Sequence, residues 1–216
     1  MREHAFLRAV SLLSERIPDA DAYPWSLPVV RGLTTLNLDS PITFFVGENG
    51  AGKSTLVEAI AVALAVNAEG GSQHMYFLRA ESFFNVATQV DENPDALTGH
   101  GGRSLHEQSH GESFLALIAN RFGPDGLYVL DEPEAAMSPQ GLLAVLRHLH
   151  QLVQAGSQFV IATHSPILLA YPGAAIYEIS EAGIRSVAYE ETEHYRLTRA
   201  FLEAPQGFLR HLLSDE

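Results

Sequence analysis

Cysteine is missing from all 216 residues, so neither a disulfide nor a thiolate metal site is available to this chain. Apolar runs long enough to span a bilayer are missing too, and the N-terminus carries no signal-peptide core. The expectation is a soluble cytoplasmic protein with no membrane insertion. Positive charge is scarce: 13 lysines and arginines face 26 acids, a formal net charge of −13. Such a surface repels a nucleic-acid backbone unless its arginines gather on one face. Here they are spread along the sequence from Arg2 to Arg210. Lysine is the scarcest cation of all, for Lys53 is the only one.

Apolar residues make up 46% of the chain, ample for the buried core of a single domain over 1–216. There is no internal repeat and no low-complexity tract. Apolar spacing at Phe6, Val10, Leu13 and Ile17 predicts a helix over 5–17. Pro18, Pro24 and Pro28 then mark an irregular or extended stretch. Leu33–Leu38 and Ile42–Val46 read as strands, and Lys53 to about Asn67 as a helix. Met75–Leu78, Leu127–Leu130 and Phe159–Thr163 read as further strands, with a helix beginning near Gly111 and another from Pro139 to Gln154. Ala175–Ile179 and Ile184–Tyr189 flank a turn as a hairpin, and 194–213 reads as one closing helix. Buried strands alternating with helices predict an α/β fold, a largely parallel sheet covered on both faces.

The single lysine lies in Gly47-Glu48-Asn49-Gly50-Ala51-Gly52-Lys53-Ser54, followed by Thr55. This is the G-x-x-x-x-G-K-S phosphate loop, here placed between an apolar strand and a helix. Glycines let backbone N–H groups converge on phosphates, and the helix from Lys53 aims its positive end at them. The expectation is a nucleoside triphosphate site, with Lys53 on the β- and γ-phosphates and the Ser54 hydroxyl on Mg²⁺.

Asp131 and Glu132 follow the strand Leu127–Leu130, at the sheet edge where parallel α/β folds bind ligands. Asp131 is suited to hold Mg²⁺ and Glu132 to orient and deprotonate an attacking water. Ser109-His110-Gly111-Glu112-Ser113 precedes a helix; taken locally, an ordinary helix cap explains it better than an anion site.

Phosphate loop, Ser-x-Gly-Glu, apolar strand with Asp-Glu, and Thr163-His164-Ser165-Pro166 occur in that order, which resembles the ABC-type ATPases. That superfamily holds transporter nucleotide-binding subunits and the SMC and RecF-like DNA-maintenance ATPases. More closely, the chain is similar to small stand-alone bacterial "AAA family" ATPases of ABC type. Tyr23-Pro24-Trp25-Ser26-Leu27-Pro28, Phe77–Phe84, Ser104–Ser113, Phe159–Leu169 and Glu190–Phe201 carry that likeness. The resemblance implies a three-layer P-loop fold with an antiparallel N-terminal β portion and a reduced helical subdomain near 71–122. It implies that Ser109, Gly111 and Glu112 form a signature meeting the γ-phosphate held by a second copy, with His110 in place of the usual first glycine. It implies that His164 contacts the γ-phosphate as a switch and that Ser138-Pro139-Gln140 forms the loop crossing the dimer seam. Glu81, or Arg79, falls where transporters carry a metal-facing glutamine.

Weaker features stay open. Tyr23 and Trp25 are suited equally to stacking on adenine and to ordinary packing. His100, His106 and His110 read poorly as a zinc site without cysteine. His148 and His150 read as polar helix face, and Glu190-Glu191-Thr192-Glu193 as a solvated helix start.

The favoured expectation is an ATPase using ATP and Mg²⁺, a homodimer closing around two ATP molecules and driving an unidentified protein partner. One rival is the nucleotide-binding subunit of a membrane transporter. Another is a DNA-maintenance ATPase, disfavoured by the acidic charge. A P-loop kinase leaves Glu132, the signature and His164 without a role.

Overall fold

The computed structural model describes residues 5–67, 75–79, 110–135 and 137–214. Six strands form the main sheet, in the order β4 (Met75–Arg79), β5 (Leu127–Asp131), β6 (Gln158–Ala162), β3 (Ile42–Gly47), β7 (Ala175–Ser180) and β8 (Gly183–Ser186). Every pairing is parallel except the last, the β7–β8 hairpin. A second sheet pairs β1 (Ala9–Ser11) with β2 (Thr35–Asn37) in antiparallel register, Val10 opposite Leu36. This is the expected α/β architecture with its small antiparallel N-terminal portion.

The strands β3, β5 and β6 are buried along their whole length. Successive side chains point to opposite faces, so each strand feeds two cores. Phe44, Leu130 and Ile161 face one side, where they pack against Ile118 of α3 (His110–Arg121) and Val145 of α4 (Pro139–Gln154). Phe45, Val129 and Val160 face the other, against Leu56, Val57 and Ile60 of α2 (Lys53–Asn67) and Val29 of the short α1 (Pro28–Arg31). Helix, sheet and helix make three layers. Fully burying one such side chain stabilises by about 1.5–3 kcal/mol, so the two cores together hold the strand ends in place.

Two expectations from the sequence are corrected. Residues 5–17 do not form a helix: Ala9–Ser11 is a strand, and a 3₁₀ turn covers Ser14–Arg16. The physical reason lies far along the chain. Gln158, nearly fully buried, accepts from the Leu7 N–H at 2.9 Å and donates to the Leu7 carbonyl at 2.8 Å, fixing that segment as extended backbone. The closing helix is also two helices, α6 (Glu193–Glu203) and α7 (Pro205–Leu213). Pro205 lacks an N–H and restricts the residue before it, and Ala204 accordingly leaves the helical region. One more short helix, α5 (Pro166–Leu169), follows β6 and adds Leu168 and Leu169 to the core that holds Phe44.

Candidate functional site

Register brings the chemistry to one edge. Phe45 of β3 lies opposite Ala162 of β6, and Ala162 lies opposite Asp131 of β5. Asp131 in turn lies opposite Arg79 of β4. The phosphate loop, the Asp131-Glu132 pair and Thr163-His164 therefore leave the sheet side by side, at its C-terminal edge.

The loop Gly47–Gly52 joins β3 to α2 with little space to spare. A Cβ on Gly47 would lie 2.1 Å from the Ile179 carbonyl oxygen of the neighbouring β7. Gly52 has φ +95°, and a Cβ there would lie 2.6 Å from Val29. Both positions therefore require glycine. Lys53 opens α2 and is almost wholly buried. Its ammonium donates back to the carbonyls of Gly47 at 2.9 Å and Glu48 at 2.8 Å, spanning its own loop. Burial pushes the Lys53 ammonium down from its usual value, while the carboxylates of Glu132, Asp131 and Glu134 pull it back up.

The next residue reaches across to β5. The Ser54 hydroxyl donates to Asp131 Oδ1 at 3.1 Å. Asp131 is buried, and its other oxygen accepts from Arg79 Nε at 2.9 Å. A hydroxyl and a carboxylate side by side are hard oxygen donors, suited to a small cation that also keeps waters and phosphate oxygens. They fit Mg²⁺ accompanied by a nucleotide. No group of three or more His, Cys, Asp or Glu side chains able to hold a metal by themselves exists among the described residues.

Glu132 ends the strand in a strained way, at φ +50°, a region a non-glycine residue seldom adopts. Its N–H donates to the Ala162 carbonyl at 2.9 Å, which continues the pairing with β6 past the bend. The bend turns the carboxylate toward the end of β6. There Glu132 Oε1 lies 3.0 Å from His164 Nε2. His164 does not cap the following helix; Ser165 does that, accepting from the Leu168 N–H at 3.4 Å.

Two residues of this cluster carried no functional expectation. Glu134 accepts the Thr163 hydroxyl at 2.7 Å and also the His164 backbone N–H, so one carboxylate oxygen fixes the turn on which His164 sits. Burial pushes the Glu134 carboxyl up, against the pull of those two hydrogen bonds. The sequence signal was a third acid in Asp131-Glu132-Pro133-Glu134. His194, in the first turn of α6, brings its Nε2 to 2.9 Å from His164 Nδ1. A lone histidine in a glutamate-rich helix start gave no sign of this.

Of the remaining expected site residues, Gly50 and Ala51 lie in the loop, and Thr55 Oγ1 is 3.2 Å from the Tyr23 hydroxyl. Tyr23 is 71% exposed, whereas Trp25 is half-buried and packs against the core on the α2 side of the sheet. Gly111 and Glu112 fall in the first turn of α3, as expected for a helix following the signature. Ser109 and Glu81 lie outside the described residues, as does much of the reduced helical subdomain expected near 71–122. So do His100 and His106.

A glycine-rich loop, a buried lysine, a Ser–Asp pair and an Asp-Glu strand end meet at one sheet edge, an arrangement suited to a nucleotide's phosphates. Residues 27–93 match an AAA domain family, and residues 97–170 match a second AAA domain family whose description also names the AbiEii toxin of a type IV toxin–antitoxin system. The chain is 24% identical to the cobalt import ATP-binding protein CbiO of Salmonella typhimurium, over 81% of this chain and 83% of that one. A Methanothermobacter marburgensis protein named for the ATP-binding part of an ABC transporter is 35% identical over 92 residues, 42% of this chain. That match spans only 33% of the relative's own length. Among solved structures, cbiO1 of Clostridium perfringens, part of a transporter complex, superposes with TM-score 0.54 at 20% identity, covering 81% and 88% of the two chains. The ATP-binding cassette MJ0796, a dimer with ADP and phosphate, gives TM-score 0.50 at 15% identity, covering 74% and 90%. The chain is thus similar in sequence to ABC transporter ATP-binding proteins and has the ABC ATPase fold.

Proposed function

We propose that the protein hydrolyses ATP to ADP and phosphate, as a single-domain ABC-type ATPase whose two copies close around two ATP molecules. The observation that carries this reading is the convergence of Lys53, Ser54, Asp131, Glu132 and His164 at the ends of β3, β5 and β6. Lys53 would exchange its two loop carbonyls for phosphate oxygens, a replacement that keeps a buried ammonium paired. The Gly47–Thr55 backbone would supply N–H donors to the phosphates, as a helix N-terminus does for anions. Ser54 and Asp131 would hold Mg²⁺, which when bound neutralises phosphate charge. Glu132 would take a proton from the attacking water, and His164 would donate from Nε2 to the terminal phosphate.

Ser109, Gly111 and Glu112 of a second copy are proposed to complete the site, which links ATP binding to dimerisation. A cytoplasmic location and an unidentified partner protein, moved as the dimer opens and closes, complete the reading. The 83% coverage of CbiO keeps a second reading, the nucleotide-binding subunit of a transporter. No described helix is long and apolar enough to cross a membrane.

Phosphate release from Mg-ATP is the test. Turnover that disappears in Glu132→Gln while nucleotide binding persists supports hydrolysis at this site. Undiminished turnover in both Glu132→Gln and Lys53→Ala would place the activity elsewhere.

A further inference from the structure

Among the described residues, His194 is the one histidine that the fold brings to the reacting groups without a role assigned above. Thr192 is fully buried and caps α6, accepting from the Tyr195 N–H at 3.3 Å and donating to the Tyr189 carbonyl at 2.8 Å. That anchored helix start presents His194 to the end of β6, ring against ring, with centroids 5.1 Å apart from those of His164.

The heavy-atom distances fix where the protons go. An ionised carboxylate only accepts, so the 3.0 Å contact with Glu132 requires a proton on His164 Nε2. Neutral His164 then has a lone pair on Nδ1. The 2.9 Å contact there requires His194 to donate from its own Nε2. His194 Nδ1 closes the chain: it is buried and has no hydrogen-bond partner among the described residues. A bare lone pair is tolerable in that position, whereas a buried N–H with nothing to meet would lose its full hydration. In the reverse arrangement His164 Nδ1 would donate to His194 Nε2, and the proton of neutral His194 would sit on its buried, partnerless Nδ1, which is disfavoured.

We propose that His194 is a positioning residue that holds His164 in its Nε2–H form, keeping one ring N–H aimed at Glu132 and the terminal phosphate. This rests on the roles proposed above for Glu132 and His164. Burial, aided by the Lys53 charge, pushes the His194 imidazole below its usual value, so it stays neutral as the donor role demands. The carboxylates of Glu193 on α6 and Glu178 on β7 act the other way and are outweighed.

Nitrogen-15 NMR of histidine-labelled protein, with the His164 signals identified through His164→Gln, reads the tautomer directly. The wild-type protein should show His164 protonated at Nε2 and bare at Nδ1. His194→Ala should lose that single form, and turnover should fall about tenfold with KM for ATP little changed, less than the hundredfold or more expected of a base itself. His194→Gln, whose side-chain amide N–H reaches the position of the lost imidazole N–H, should restore both. A wild-type proton on His164 Nδ1, or an unaltered His164 in His194→Ala, would overturn the proposal. The wild-type spectrum decides even if the alanine variant fails to fold. Absence of ATP turnover in the wild type would refute the hydrolytic reading alone and leave the tautomer result standing.

Discussion

The two halves of the site are built on opposite plans. The binding half, β3 with its loop and α2, is mostly backbone: two cramped glycines, a helix start, and one lysine folded onto its own carbonyls. The reacting half, the ends of β5 and β6, is mostly side chain: Glu132, Glu134, His164 and His194 linked by hydrogen bonds that cross three elements. Asp131 belongs to both, touching Ser54 on one side and following its strand into Glu132 on the other. A backbone cradle tolerates little change in shape. A side-chain network tolerates little change in donor and acceptor. Substitutions should therefore separate affinity from turnover.

Glu132→Gln should have the largest effect. It keeps an oxygen facing His164 but removes the base, and turnover should fall roughly hundredfold or more. Isothermal calorimetry should meanwhile find ATP affinity within a few-fold of wild type. Joint loss of binding and turnover would erase the distinction between the halves.

Lys53→Ala attacks the other half. Losing charge-assisted hydrogen bonds, each worth about 1.5–3 kcal/mol, should weaken ATP binding at least about tenfold in the same calorimetric measurement. Equal affinity in the variant would show that the ammonium is only a clamp on its own loop.

Glu134 sharpens the comparison through stability. Glu134→Ala strands the Thr163 hydroxyl and the His164 N–H, and denaturant titration should show a loss of about 2 kcal/mol or more. Glu134→Gln retains an acceptor and should not. The pH dependence has a definite sign. Burial raises the folded carboxyl above its usual value of 4.5, so the folded state holds this proton more tightly than the unfolded chain. Its contribution is fully present below 4.5 and is lost as pH rises through the raised folded value. Glu134→Gln should flatten that decline, and parallel wild-type and variant curves would contradict the assignment.

The smallest effect belongs to Tyr23. An exposed ring beside Thr55 is available to a base, and stacking worth about 1 kcal/mol would make Tyr23→Ala bind ATP several-fold less tightly. Trp25→Ala should instead lower stability, because its half-buried ring packs against the core. Reversal of the two phenotypes would return adenine contact to Trp25.

The same contrast explains what could be read from the sequence. The binding half is local, a contiguous motif between strand and helix, and its lysine, serine and helix boundaries follow from spacing. Asp131 and Glu132 were legible because a buried strand ends at them. Glu134 and His194 were not, since their partners lie about thirty residues away in sequence and only the register of β5 with β6 and the placement of α6 bring them together. Non-local contacts misled the reading elsewhere too. Residues 5–17 have helical spacing, yet the buried Gln158 amide and the β1–β2 ladder draw them into extended form. The break between α6 and α7 is different, for Pro205 stood in the sequence and overrides the apolar period around it.

The paired closure of two copies over ATP is the central claim, and light scattering on a sizing column tests it most directly. Glu132→Gln, which should bind ATP without consuming it, is expected at the 23.5 kDa monomer mass without nucleotide and at about twice that mass with Mg-ATP. A monomer in both conditions, with ATP binding verified in the same sample, would contradict it.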